Sequence, residues 1–213
     1  MKIKMFQFNM LPVNCYILVD NNKNAVIIDP GAYYPEEKAA LKDYIINEQL
    51  NVEHVLVTHL HPDHMFGLSF LYQEFGLKAE ANEADEALFH DMAKHGSLFG
   101  MTMDDGPVLL KNYLNNGDIV TFGKTELECI AVPGHSPGSL AFYQKEAGVL
   151  FSGDALFRAS IGRTDFKGGN YASLHDSIIG RLFVLPDDTV VYPGHGETTT
   201  IGFEKENNLF LRD

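Results

Sequence analysis

Cysteine is nearly missing from this sequence, which carries only Cys15 and Cys129 in 213 residues. Both stand inside strand-like apolar runs, which suits buried thiols better than a disulfide. Basic residues are scarce as well, 16 Lys and Arg against 29 Asp and Glu, for a net charge of −13. That balance speaks against a nucleic-acid backbone or an anionic membrane as a partner. Long hydrophobic runs are absent, since nothing approaches the roughly 18 apolar residues of a membrane span. The opening MKIKMFQFNM has neither an apolar h-region nor a small-residue cleavage site, so the expected compartment is the cytoplasm. Low-complexity tracts, Pro/Ser linkers and breaks in composition are missing too, and residues 1–213 read as one domain. At 45% apolar and 21% charged residues the composition is that of an ordinary globular protein, long enough to bury a substantial core.

What is present is an alternation of strand-like and helix-like segments, the pattern of a layered α/β protein. NCYILVD and NAVIIDPG read as two paired strands joined by the polar turn NNKN. YPEEKAALKDYIINEQL has helical spacing and an acidic first turn, and MFGLSFLYQEFG reads as a helix closed by Gly76. VEHVLVTH and LKAEAN read as strands, EADEALFHDMAKHG and YASLHDSIIGRLFVL as helices. The stretch from Ser97 onward, SLFGMTMDDGPVLLKNYLNNGD, is irregular, and Ser97–Asn116 is a candidate lid or a surface loop.

Four segments, HVLVTHLHPDH, LECIAVPGH, GVLFSGD and TVVYPGH, run from apolar β-residues straight into a His or Asp. In layered α/β folds such strand ends gather along one edge of a sheet, where binding sites form. His59 and His61 are two apart and project to one side of an extended chain. Pro62 ends that extension and can open a helix, carrying Asp63 and His64 to a second face of the same point. Imidazole and carboxylate without thiolate form a ligand set for zinc or iron. His59, His61, His64, His135, His195, Asp63 and Asp154 offer seven donors, too many for one tetrahedral ion. They suit two ions sharing a bridge, for which Asp154 has two oxygens. A purely structural use of so many imidazoles beside carboxylates would cost desolvation with no return. His54, His90, His95 and His175 each stand alone and are read as ordinary structural histidines. Asp29, in IIDPG, is read as a turn former with a possible part in orienting a ligand.

The H-x-H-x-D-H motif at His59–His64, followed in order by PGHSPGS, SGDALF and YPGHG, resembles the metallo-β-lactamase superfamily over nearly the whole chain. The resemblance implies a four-layer αββα sandwich with a dinuclear site at one edge of its sheets. It places His59, His61 and His135 on a first metal and Asp63, His64 and His195 on a second, with Asp154 bridging. Within that superfamily GDALFRASIGRTDFKGGN is most similar to the short glyoxalase II-like (hydroxyacylglutathione hydrolase-like) enzymes. Full-length glyoxalase II carries a C-terminal helical domain, for which the 18 residues after His195 are too few. Arg163 falls where that family has a basic contact to the glutathione moiety, while Asp165 stands where a tyrosine is usual.

The expected activity is hydrolysis of a small-molecule thioester such as S-lactoylglutathione, with hydroxide generated between two divalent ions as nucleophile. Zinc is the expected metal, with iron or manganese also compatible. Asp63 and Asp154 are the candidate catalytic carboxylates and Arg163 the candidate substrate contact. A thiolate leaves without a proton, its conjugate acid having a pKa near 8.5, so no general acid is required. An Fe(II) persulfide dioxygenase of the same fold, with one iron on two histidines and an aspartate, is the competing expectation, and a lactone or ester hydrolase a further one. The acidic charge disfavours the RNA-processing branch of the superfamily, and the missing export signal disfavours its secreted β-lactamases.

Overall fold

Two six-stranded sheets stack face to face in the computed structural model, which describes residues 1–90 and 108–212, residues 89 and 90 by backbone alone. The first sheet runs in chain order through β1 (Lys2–Phe8), β2 (Val13–Val19), β3 (Asn24–Ile28), β4 (Asn51–Leu56), β5 (Ala79–Ala81) and β6 (Leu110–Tyr113). The second contains β7 (Ile119–Phe122), β8 (Thr125–Ala131), β9 (Leu140–Gln144), β10 (Val149–Gly153), β13 (Val190–Pro193) and β14 (Thr199–Thr200), in the order β14-β13-β10-β9-β8-β7. A two-stranded ribbon, β11 (Leu156–Phe157) with β12 (Ser160–Ile161), stands apart from both. The α-helices of the described residues are α1 (Pro35–Asn47), α2 (Pro62–Met65), α3 (Leu68–Phe75), α4 (Glu86–His90), α5 (Tyr171–Ser177) and α6 (Ile201–Asn207).

The layers follow from which faces are apolar. Val13, Cys15, Ile17 and Val19 of β2 pack outward with Leu41 and Ile45 of α1 and Leu68 and Leu71 of α3. The alternate residues Tyr16 and Leu18 point inward and meet Phe142 and Phe151 of the second sheet. Both faces of β2 are therefore covered, and all seven of its residues are buried, which is why NCYILVD reads as an unbroken apolar run rather than an alternation. The far face of the second sheet, including Ala141 and Leu150, packs on Leu174 of α5, on Ile178 just after it and on Ile201 of α6. Helix, sheet, sheet and helix are thus the four layers, as the sequence resemblance implied. Each fully buried aliphatic side chain contributes about 1.5–3 kcal/mol to this arrangement.

Local signals act where they were legible. Pro35 opens α1, and the Glu37 carboxylate accepts the Tyr33 and Tyr34 N–H groups at 2.8 and 3.0 Å. Gly76 closes α3 at φ 69°, a conformation that favours glycine. Cys15 and Cys129 are free, buried thiols on β2 and β8. Two segments differ from expectation. β6 lies inside the stretch taken as irregular; it is a mostly exposed strand, LKNY, without an alternation to mark it. The helix expected over YASLHDSIIGRLFVL is α-helical only to Ser177 and continues as a π turn, Ile178–Leu182. The helix expected to run on past residue 90, His95, and the candidate lid up to residue 107 lie outside the described residues.

Half-buried His54 on β4 and buried Glu80 on β5 form a polar tie between neighbouring strands inside the first sheet. His54 Nδ1 lies 2.6 Å from Glu80 Oε1, and its Nε2 lies 3.0 Å from the Thr121 carbonyl on β7. Burial alone would raise the Glu80 carboxyl, but the His54 hydrogen bond and the charges of His54 and Lys111 hold it below the usual 4.5. A carboxyl with a depressed folded pKa stabilises the fold above its unfolded value, and that stabilisation is lost as pH falls through the folded one. Glu80→Gln is therefore expected to cost about 1–3 kcal/mol near neutrality and to lose less stability than wild type below about pH 4.5. Thermal unfolding of both proteins across that range checks it; parallel pH profiles would show that the pair contributes nothing.

Candidate metal centre

Every predicted donor emerges at the same edge. β10 and β13 are parallel neighbours with Gly153 paired to Pro193, so Asp154 and His195 leave adjacent strand ends side by side. β3 and β4 are likewise parallel, and the Asp29 N–H donates to the Leu56 carbonyl at 3.0 Å. The two sheets are tied at this edge by Leu140 N–H donating to the Thr58 carbonyl at 2.8 Å and Asn14 N–H to the Gly194 carbonyl at 2.7 Å. His61 caps α2, whose first residue is Pro62, and one turn of that helix turns Asp63 and His64 inward.

All seven side chains meet. The ligand-capable atoms of His59, His61 and His135 lie within 4.8 Å of one another, as do those of Asp63, His64 and His195, and those of His59, His64 and Asp154. His135 Nε2 is 3.2 Å from His59 Nε2 and 2.9 Å from His61 Nδ1. Asp154 stands between the sets: Oδ2 lies 3.6 Å from both His135 Nε2 and His195 Nε2, and Oδ1 lies 3.5 Å from His64 Nε2. Asp63 Oδ2 is 3.2 Å from His195 Nε2. His54 and His175 are outside this cluster.

The tautomers follow from what the opposite ring nitrogens touch. His135 Nδ1 lies 2.7 Å from the Arg163 carbonyl and His195 Nδ1 lies 3.2 Å from the Pro12 carbonyl. A carbonyl can only accept, so each Nδ1 carries the proton and each Nε2 presents a lone pair to the centre. Thr58 Oγ1 donates to Asp29 Oδ2 at 2.8 Å and lies 3.1 Å from His59 Nδ1. Its single proton is spent on Asp29, so it accepts from His59 Nδ1–H and frees His59 Nε2. His64 Nδ1 is 3.0 Å from the same Asp29 oxygen, although out of line for a full hydrogen bond.

Such a cluster of facing lone pairs and carboxylates needs a cation. His64 Nε2 and Asp154 Oδ1 are fully enclosed yet have no hydrogen-bond partner, an arrangement that costs about 1–3 kcal/mol for each unsatisfied neutral group. Burial, with the charges of neighbouring histidines, lowers His59 strongly, and burial and His135 push His61 down to about 3. Burial would lower His64 too, but Asp29, Asp63 and Asp154 raise it well above the usual histidine value. Burial would raise Asp63 and Asp154, whereas the neighbouring histidines, His64 first, hold both carboxyls low. The same negative charges that hold a proton on His64 would hold a metal cation in its place. Backbone closeness completes the cradle. A Cβ on Gly194 would fall 2.2 Å from Asp154 Oδ1, and one on Gly153, at φ 51°, would fall 2.5 Å from Thr58 Oγ1. A side chain on Gly194 would fill the space the donors surround, and one on Gly153 would displace the Thr58 hydroxyl from His59. The residues present fit two divalent cations.

A cavity of about 420 Å³ opens onto the cluster, lined by His61, Asp63, His135, Asp154 and His195 and walled by Leu11, Phe157, Ile161 and Phe166. Arg163 stands at its rim, exposed, with Nε and Nη2 donating to both Asp165 oxygens at 3.0 and 2.8 Å and the guanidinium stacked 4.4 Å over Phe166. The candidate substrate contact is thus internally paired with the very residue that replaces the family tyrosine. Several supporting residues escaped the sequence. Buried Asp85 accepts Leu60 N–H at 3.1 Å, Ser136 Oγ–H at 2.7 Å and Gly138 N–H at 2.5 Å, joining the loops of His61 and His135. Asn14 Nδ2 donates to the Pro193 and Gly196 carbonyls around His195. Asn9 Nδ2 donates to the Asp63 carbonyl. No local pattern marks these residues, because each acts on a segment remote in sequence.

The chain belongs to the metallo-beta-lactamase superfamily, whose family model matches residues 9–195. That fold implies a dinuclear divalent metal site, consistent with the cluster. Hydroxyacylglutathione hydrolase GloC of Haemophilus influenzae is 37% identical over 212 residues, covering 99% of this chain and 98% of that protein. Among solved structures, the BLEG-1 B3 metallo-beta-lactamase superposes with a TM-score of 0.87 at 35% identity and full coverage of both chains. TTHA1623, solved in a di-iron-bound form, superposes with a TM-score of 0.86 at 34% identity, covering 98% of this chain and 100% of its own. The protein is a metal-dependent hydrolase by family. No helix among the described residues is long and apolar enough to cross a membrane.

Proposed function

We propose that this metallo-hydrolase cleaves a small-molecule thioester of the S-lactoylglutathione type. The observation that carries this is the Asp154 carboxylate, which faces His64 with one oxygen and His135 and His195 with the other, so that one acid serves two donor sets. The name of the Haemophilus relative supports an acyl-thiol substrate. His59, His61 and His135 would hold one divalent ion and Asp63, His64 and His195 the other, with Asp154 shared; zinc suits these donors, as do iron and manganese. Bound there, such ions supply Lewis acidity that lowers the pKa of water toward neutrality and polarises an acyl oxygen.

The chain's own groups do the rest. Asp63 borders the cavity with Oδ2 held 3.2 Å from His195 Nε2, so its carboxylate accepts a hydrogen bond from the attacking water and fixes its direction. Leu11, Phe157, Ile161 and Phe166 enclose the carbon skeleton and exclude bulk water. Arg163 reaches an anionic group of the thiol carrier once it leaves Asp165. The thiolate departs unprotonated, so the chain needs no general acid. The −13 charge suits a freely diffusing small molecule in the cytoplasm better than nucleic acid or a membrane surface.

Purified protein is expected to hydrolyse S-lactoylglutathione, to fall to background on chelation, and to recover when zinc is restored. Elemental analysis is expected to find two metal ions per chain. Absence of metal-dependent turnover would remove this substrate class. One iron per chain with oxygen consumption on glutathione persulfide would replace it by the dioxygenase, and preferential cleavage of a β-lactam or lactone by those hydrolase activities.

A further inference from the structure

Glu204 is a carboxylate shielded from solvent (0% exposed), and among the described residues its hydrogen-bond donors are all neutral. Oε1 accepts Thr199 Oγ1–H at 2.6 Å and the Ala159 N–H at 3.1 Å. Oε2 accepts the same N–H at 3.0 Å and Asn208 Nδ2–H at 2.7 Å. Asn208 Nδ2 also donates to the Ser160 carbonyl at 3.0 Å. Burying a charge without a counterion is unfavourable unless hydrogen bonds replace its hydration. Both Glu204 oxygens face the N–H of Ala159, in the turn between β11 and β12, and Asn208 links Oε2 to the Ser160 carbonyl just beyond it, while Thr199 on β14 anchors Oε1 from the other side.

That turn needs holding. Ala159 has φ 55° without being glycine, at the second corner of a two-residue connection where glycine is favoured. The ribbon it closes pairs Phe157 with Ser160 and Leu156 with Ile161, and Phe157, Ser160 and Ile161 line the cavity. The chain then passes through Gly162 to Arg163, whose carbonyl orients His135.

We infer that Glu204, assisted by Asn208, is a positioning residue for specificity: it clamps the 156–161 ribbon as the wall against which the substrate's thiol carrier lies. The inference rests on the thioesterase reading for the identity of that substrate, but the clamp itself is read without any substrate. Glu204→Ala is expected to speed amide hydrogen exchange in residues 156–161 while two metal ions stay bound. It is also expected to raise KM for S-lactoylglutathione about tenfold, with kcat within about twofold of wild type. Glu204→Gln keeps one acceptor for the Ala159 N–H and is expected to restore most of both properties. Asn208→Ala, which removes the Ser160 and Oε2 contacts together with the cap on the Phe210 N–H but leaves Glu204 on Ala159, shifts both in the same direction by less and serves if Glu204→Ala does not fold. Unchanged exchange in the ribbon of a folded variant would overturn the clamp. Faster exchange with an unchanged KM would overturn the ribbon's part in specificity. Loss of wild-type turnover on this thioester would remove the substrate assignment while leaving the exchange result to decide the clamp.

Discussion

Asp154→Ala is expected to abolish hydrolysis, with activity falling at least about 10³-fold, or ~4 kcal/mol of transition-state stabilisation. The reason is its double engagement. Its Oδ1 faces His64 and its Oδ2 faces both His135 and His195, so removing it strips negative charge from both donor sets at once. Its carboxyl is held well below the ordinary range, the charges of His64, His195 and His135 outweighing its burial, and it therefore remains ionised across any working pH. Metal stoichiometry by elemental analysis, together with initial rates, checks the outcome. A variant retaining both ions and wild-type turnover would show that Asp154 is not the shared ligand. Asp154→Asn separates charge from shape: it keeps the volume and one acceptor oxygen, and is expected to recover little activity.

Asp29→Asn is the second large effect, although Asp29 touches no candidate ion. Asp29 is buried at φ 51°, a conformation asparagine tolerates as well as aspartate, so the backbone is not disturbed. What changes is the direction of one hydrogen bond, from Thr58, and the charge that faces a second ring, His64. With a carboxylate, Thr58 donates to Asp29 and so accepts from His59 Nδ1, while the negative charge of Asp29 Oδ2, 3.0 Å away, favours a proton on His64 Nδ1 without a full hydrogen bond. A carboxamide NH₂ in that place donates instead. Thr58 would then donate to His59 Nδ1 and His64 Nδ1 would accept, moving the ring proton of each onto the nitrogen that faces the metal centre. Metal affinity is expected to fall about 100-fold, near the upper end for loss of one orienting partner, because two rings are affected. Competition with a chromophoric chelator reads this without substrate. Wild-type affinity in a folded Asp29→Asn protein would sink the tautomer relay.

Much of the centre was legible because its donors obey local rules. An apolar β-run ending in His or Asp marks a strand whose C-terminal edge carries a polar side chain, and four such endings occur. The i, i+2 spacing of His59 and His61 and the helix-opening Pro62 bring Asp63 and His64 to the same point within one turn. The fold class was legible for a similar reason, since doubly covered strands such as β2 and amphipathic helices such as α3 announce layers through their apolar patterns. β6 was not, because a largely exposed strand has no such pattern to show. Arg163 was identifiable as a rim residue, but its bidentate pairing with Asp165 appears only when both side chains have coordinates.

By itself, then, the order of residues determined the donor chemistry, the succession of strands and helices, and the acidic net charge. Only the tertiary structure decided that β10 and β13 lie parallel in the register Gly153 to Pro193, which sets Asp154 beside His195. Only it decided that Asp29 meets Thr58 beside His59 and lies 3.0 Å from His64, that Asp85 binds the His61 loop to the His135 loop, and that Glu204 reaches back 45 residues to Ala159. The physical reason is range. Periodicity and turn chemistry encode interactions within a few residues, whereas a hydrogen bond between distant segments depends on sheet order and register, which the packing of whole layers selects.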